Sequence, residues 1–267
     1  MSGAARLTWV AVSYGGVEDA RALVASLGHD VPVDVVLCAN KPGDAAAART
    51  AFADDPRVRV LDFEDNPGYL PALHRAVPEV DPALPLVLSN VDLVADPGCV
   101  QALLDGVAAH PDAGWLAPSV IGALGQDQNP NLLAPPGARW LRMLAAVHRF
   151  PAVADLLLLR REGHSSRTVT GVAPGTAVFA GHGSCVVLTP RYLAEGGSTD
   201  YPFALFGEEL WFASECRRLG LTVRYLPSAR LLHTEHVATG SRRRGHVARV
   251  KYEGLRWWAR RAADAGW

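Results

Sequence analysis

The sequence predicts an α/β fold in which one open, mostly parallel sheet is flanked by helices. Short apolar, partly β-branched runs alternate with helical patterns from Leu7 to His110, the order that builds parallel strands joined by crossover helices. The 267 residues suffice for one large α/β domain, or two small ones, with a sizeable core. Ser13, Asn40, Asn66, Asn90 and Asp92 each follow the end of a strand run, and the carboxyl edge of an open α/β sheet is where ligands bind.

Each element has a local reason. Leu7–Ser13 is a continuous apolar run stopped by Tyr14-Gly15-Gly16, as a buried strand entering a loop should be. Glu18–Leu27 carries Ala20, Leu23, Val24 and Leu27 at helical spacing. A second strand, Val33–Cys38, ends at Asn40 and the turn-forming Pro42-Gly43-Asp44, before a helix at Ala45–Phe52. A third, Val58–Phe63, ends at Asn66-Pro67-Gly68, and Tyr69–Val77 is helical with Pro71 tolerated in its first turn. Leu84–Ser89 is a fourth strand and Asp96–His110 a helix opening near Pro97. Beyond it, Gln126–Pro136 is polar and proline-rich, Trp140–Val147 is a helix candidate, and Leu156–Leu159 is a short apolar run. Val178–Leu188 and Thr222–Leu226 read as strands around a helix at Glu208–Leu219. The segment from Arg244 to Ala263 is helical, with Val247, Val250, Gly254 and Trp258 on one stripe.

Composition narrows the function classes. An apolar share of 49% and a charged share of 20% describe an ordinary globular chain, and a net charge of −1 gives no global attraction to nucleic acid. The charge is uneven, with +6 from residue 239 onward and −7 before it. Cys38, Cys99, Cys185 and Cys216 are scattered without C-x-x-C spacing, which predicts free buried thiols in a reducing compartment. Met1–Arg6 is too short and polar for a signal peptide, and no apolar run approaches the roughly 20 residues of a membrane span. The expectation is a cytoplasmic protein whose basic terminal helix either packs onto the domain through Trp257 and Trp258 or makes peripheral contact at the inner membrane surface.

Three local patterns carry chemistry. Leu86–Asp92 is an apolar strand delivering a carboxylate to its end, a placement suited to a hard cation or to a simple turn. Glu208 and Glu209 enter a helix, where acids serve catalysis or merely complement the helix dipole. His233 and His236 stand at a strand end, as ligands or as structural imidazoles.

In order and spacing these patterns resemble the inverting family 2 of nucleotide-sugar glycosyltransferases, particularly its rhamnosyltransferase-like and polysaccharide-building members. The resemblance runs from Leu7 to the terminal helix and thins across Gly122–Thr176. It rests on Ser13-Tyr14-Gly15, Asn40-Lys41-Pro42-Gly43-Asp44, Asn66-Pro67-Gly68-Tyr69, Asn90-Val91-Asp92, His110–Gly114, Gly181–Cys185 with Gly196-Gly197, Glu208-Glu209 and His233. The chain departs from that family at Ala39, where an acid is usual, at Glu209, where Asp is usual, and at His74, where Asn is usual.

The resemblance implies a GT-A-type fold. Residues 1–95 would bind the nucleotide-sugar, 96–238 would form the acceptor-binding and catalytic half, and 239–267 would form a basic terminal helix. It implies donor contacts from Ser13, Tyr14, Asn40, Asp44, Asn66, Gly68, Asn90, Gly183 and Ser184. Glu209 would be the general base with Glu208 beside it, and Asp92 and His233 would hold a divalent metal, Mn²⁺ or Mg²⁺. The partners would be a dTDP-, UDP- or GDP-sugar and a saccharide, lipid-linked or small-molecule acceptor, with no nucleic acid. Rival classes lack their signatures. Ser13–Glu18 does not supply G-x-G-x-x-G, His182 and Val186 occupy the glycine places of a nucleophile elbow around Ser184, and no Gly- and Arg-rich loop of a sugar-1-phosphate nucleotidyltransferase follows the first strand. A catalytically inactive sugar-nucleotide-binding homologue is the alternative of a different class.

Overall fold

Residues 6–150, 171–234 and 244–264 are described by the structure, a computed structural model. The Leu156–Leu159 run, His236, Arg242 and Arg243 lie outside them. The first part of the chain alternates as its pattern predicts: β1 (Leu7–Ser13), α1 (Val17–Ser26), β2 (Val33–Ala39), α2 (Asp44–Ala51), β3 (Val58–Asp62), α3 (Tyr69–Ala76) and β4 (Leu86–Asn90). There follow β5 (Leu93–Ala95), α4 (Cys99–Ala109), β6 (Ala113–Ile121), α5 (Ala138–His148), β7 (Ala177–Val178), β8 (Cys185–Leu188), α6 (Pro190–Ala194), α7 (Glu208–Arg218), β9 (Thr222–His233) and α8 (Arg244–Asp264).

The described strands form one sheet in the order β3-β2-β1-β4-β8-β6-β9-β5, with β7 on β9. β1, β2, β3 and β4 pair in parallel, as do β6 and β9, while β8 runs antiparallel to both β4 and β6. Helices cover both faces. Val10, Val36 and Leu88 pack with α3, α7 and α8 on one side, and Leu7, Trp9, Leu37 and Val87 pack with α1, α2 and α4 on the other. Burial on both faces explains the unbroken apolar runs of β1, β2 and β4. All four cysteines are free and buried.

Of three differences from the sequence reading, the first two share a physical cause. β6 was not anticipated because Gly114 and Pro118 interrupt its apolar run, yet it is buried almost throughout. β9 does not end at Leu226 but continues through Pro227 to His233. The β6–β9 register shifts between Pro118 and Ser119, so that Leu226 and Arg230 sit opposite those neighbours. A bulge accommodates proline inside a sheet, because it removes the need for the missing N–H. The single run expected over Val178–Leu188 is two strands, and the loop between them carries Gly181–Ser184.

Candidate active site

The register of β5 against β9 builds the first part of the site. Leu93 pairs with His233, and Thr234 donates from both its N–H and its hydroxyl to the Asp92 carbonyl, at 3.0 and 3.1 Å. Two residues distant in sequence are thereby pinned side by side. His233 Nε2 lies 3.4 Å from Asp92 Oδ2, and His233 Nδ1 lies 3.0 Å from Gln128 Oε1. An amide oxygen only accepts, so Nδ1 carries the proton and donates to Gln128. For a neutral imidazole, the Nε2 lone pair then faces the carboxylate. Two donors sharing one cation at about 2.1 Å stand about 3 Å apart, so this pair fits a divalent cation. Gln128 supplies the outer hydrogen bond that orients a ligating histidine. Among the described residues no cluster of three or more His, Cys, Asp or Glu completes a metal cage, which leaves a two-ligand set whose other positions suit phosphate oxygens and water.

Gln128 was not anticipated, and its loop is held by groups that only folding brings together. Asp127 accepts from Ser119 Oγ at 2.7 Å, Tyr225 Oη at 2.8 Å and the amides of Val120 and Asn129. Asn129 donates to the Pro118 carbonyl at 2.6 Å and accepts from the His182 amide at 2.7 Å. The His182 ring stands edge-on to His233, 6.0 Å between centroids, with Nδ1 2.8 Å from Ser184 Oγ. Burial, with His233 beside it, pushes the His182 imidazole down to about 4, so it is neutral and acts as a hydrogen-bonding wall. The adjacent histidines of the Gly-His-Gly-Ser loop and β9 were the only sequence signal for this cluster.

The second part is the acid pair at the start of α7. Gly207 caps this helix at φ 102°, and a Cβ there would meet Tyr201 Oη at 2.3 Å and Trp258 Nε1 at 2.8 Å. Glycine is required both by the backbone conformation and by the closeness of the two rings. Gly183 is equally constrained, since a Cβ would meet Glu208 Cγ at 2.2 Å. The Gly183 amide donates to Glu209 Oε1 at 3.3 Å, and its carbonyl accepts from Tyr69 Oη at 3.0 Å. Glu208 Oε2 is buried without a hydrogen-bond partner.

Burial raises both carboxyls. Glu208 is pushed further by repulsion from Glu209, up to about 8, while amides including that of Gly183 hold Glu209 back. Both carboxyls are thus held above the ordinary carboxylate range, Glu208 carrying the unpartnered oxygen and Glu209 the anchor to the Gly183 amide. Lys251 of α8 contributes a cation in the field of both acids, its Nζ 4.5 Å from the Phe206 ring centroid. Lys251 was read from the sequence only as part of a basic tail.

The remaining expected residues lie along the same sheet edge. Ser13 Oγ accepts from the Gly16 amide at 3.2 Å, and Asp44 accepts from the Gly15 amide, so both shape the loop in which Tyr14 is exposed. Asn40 donates to the Gly68 carbonyl at 2.8 Å and keeps Oδ1 buried without a partner. Asn66 adopts φ 44° in the turn before Gly68, and the next residue, Tyr69, donates its N–H to the Ala204 carbonyl at 2.8 Å, joining this turn to the segment before α7. The Asn90 amide donates to the Ser184 carbonyl at 3.1 Å. Trp257 and Trp258 turn inward: Trp258 is 1% exposed and donates to Tyr201 Oη at 3.1 Å, while Trp257 packs on Tyr201, Phe203 and Trp211.

No family model matches the chain. It is 26% identical over 254 residues to an N-acetylglucosaminyl-diphospho-decaprenol L-rhamnosyltransferase of Mycobacterium tuberculosis, covering 90% of this chain and 79% of that protein. Its fold is similar to that of GalNAc-T7 crystallised with UDP, GalNAc and Mn²⁺ (TM-score 0.62, 13% identity, 90% of this chain and 45% of the other). It is also similar to S. aureus TarS 1–349 in complex with UDP-GlcNAc (TM-score 0.57, 11% identity, 87% and 59%). The chain thus spans about half of these two solved structures. Both have the GT-A fold, and the sequence relative and the structures alike are glycosyltransferases.

Proposed function

We propose that this chain, a glycosyltransferase of GT-A fold, moves a sugar with inversion from a nucleoside-diphosphate donor to a hydroxyl acceptor, with Glu209 as general base. The observation that supports the reading is the geometry of the acid pair at the start of α7: Glu208 keeps Oε2 buried without a partner, and its neighbour Glu209 is anchored to the Gly183 amide. The acceptor oxygen attacks the anomeric carbon and its proton passes to Glu209. The bond from that carbon to the diphosphate breaks as the new one forms, and the electron pair leaves with the diphosphate. Glu208, protonated, donates a hydrogen bond to an acceptor hydroxyl.

Asp92 and His233 would hold the divalent cation, and an imidazole ligand suits Mn²⁺ somewhat better than Mg²⁺. Bound there, the cation neutralises charge on the leaving diphosphate. Ser13, Tyr14, Asn40, Asp44, Asn66, Gly68 and Asn90 would contact the nucleoside and donor sugar, with Gly183 and Ser184 at the boundary with the acceptor. The donor is a dTDP-, UDP- or GDP-sugar. The acceptor is a lipid-linked diphospho-sugar, in line with the chemistry named for the mycobacterial relative.

Calorimetric titration of UDP, dTDP and GDP, each in Mn²⁺ and in EDTA, tests the donor site. One nucleotide should bind more tightly in the metal, and Asp92→Ala should abolish that gain while leaving the EDTA affinity unchanged. Equal affinities of wild type and variant in Mn²⁺ would overturn the metal assignment.

A further inference from the structure

Helix α5 has two apolar stripes, and among the described residues only one is buried while the other is half-buried to exposed. Leu141 and Ala145 are buried where α5 packs along α8. The opposite side carries Trp140, Met143, Leu144 and Val147 at helical spacing, with Phe150 just past the helix end. Trp140 is 45%, Met143 56% and Phe150 58% exposed. A globular chain rarely leaves a tryptophan, a phenylalanine and a methionine exposed on one face without a partner for them.

Charge identifies that partner. Arg139, Arg142 and Arg149 flank the stripe, all exposed, and no Asp or Glu occurs from Gln128 to Phe150. Exposed Arg256, Arg260 and Arg261 extend the positive surface along α8. Aromatic and aliphatic residues rimmed by arginines are the composition of a helix lying in the plane of an anionic bilayer. No helix among the described residues is long and apolar enough to cross a membrane, so contact would be of this in-plane kind. The patch also lies on the catalytic flank. His148, on α5, feels the field of Lys251, and Lys251 in turn feels that of Glu209 and Glu208.

We infer that the outer face of α5, with the arginines of α5 and α8, is the surface by which the protein seats itself on an anionic membrane, next to the site that receives a lipid-linked acceptor. The inference rests on the acceptor class proposed above, and it takes the apolar part of the membrane contact from α5 rather than from the tryptophans of the terminal helix, which turn inward.

Flotation of the full chain with vesicles of phosphatidylcholine, with and without phosphatidylglycerol, tests it. Wild type should float with the anionic vesicles. Changing Trp140, Met143 and Phe150 together to Gln should reduce that binding about tenfold or more. Changing Arg139, Arg142 and Arg149 together to Gln should erase the preference for phosphatidylglycerol. Because all six side chains are exposed, circular dichroism and nucleotide affinity should match wild type in both variants. Failure of the wild type to float, or equal flotation of wild type and the apolar variant, overturns the inference. So does a wild-type dimer in sedimentation that the apolar variant converts to monomer, since the stripe would then be covered by a second copy. Nucleotide binding is read in the same preparations, so loss of the donor reading with flotation intact, or the reverse, separates the two.

Discussion

Along β1, β2 and β4 the strands are buried on both faces and end in loops where Ser13 and Asp44 bond nearby backbone and Tyr14 is open to solvent, Asn40 Oδ1 being the enclosed exception. Around β8, β9 and α7 the titratable groups are instead drawn away from water: Glu208 with Oε2 unpartnered, His182 held neutral, Lys251 against a phenyl ring. The first region presents ligands to water at little cost in stability. The second holds charge out of water, which is unfavourable unless the group neutralises or is paired. A group kept from its preferred state is ready to exchange a proton, and the contrast is in line with the proposal that the first region holds the donor and the second moves the proton.

Substitutions sharpen or break that contrast. The largest effect should come from Glu209→Gln, which keeps shape and removes basicity: single-turnover transfer should fall by about 10²–10⁴ while donor affinity holds. An equal fall from Asp44→Asn, on the solvated half, would break the comparison. Gln128→Leu should be intermediate. It strips the acceptor from His233 Nδ1 and should weaken metal-dependent nucleotide binding by about 10–100-fold, read by titrating Mn²⁺ at fixed nucleotide.

The smallest effect concerns stability. Glu208 is raised in the folded state, so the folded chain holds a proton that the unfolded chain releases. That contribution is complete below the ordinary carboxylate pKa and is lost as pH rises toward about 8. Thermal melts should therefore show the wild type weakening between about pH 5 and pH 8 more steeply than Glu208→Gln. At the alkaline end the variant should gain about 2–4 °C for each kcal/mol of relieved burial cost. Parallel melting curves across that range would mean that Glu208 is solvated as the first region is.

The same contrast governs how far the sequence could be read. Runs such as Leu7–Ser13 and Val33–Cys38 specify strands locally, and the residues after them reach the ligand edge by the logic of parallel sheets. Glu208, Glu209, Asp92 and His233 were legible as types at spacings. Their partners were not. Gln128 reaches His233 through a loop fixed by Asp127, Ser119 and Tyr225, contacts set by a bulged register at Pro118 that no local pattern encodes. Pro118 and Pro227 read as breakers because the sequence does not show that they face each other across one irregularity. Lys251 sits in a helix whose periodicity indicates a buried stripe but not which acids lie beside it.

The clamp of Tyr201 and Trp258 on Gly207 orders events during synthesis. Gly207 precedes Trp258 by about fifty residues, which a ribosome adds over on the order of several seconds. Until then Tyr201 Oη lacks the indole that donates to it, and Lys251 has not arrived beside the two acids. A nascent chain therefore carries the loops proposed to contact the donor before α8 can close the proposed proton-transfer corner.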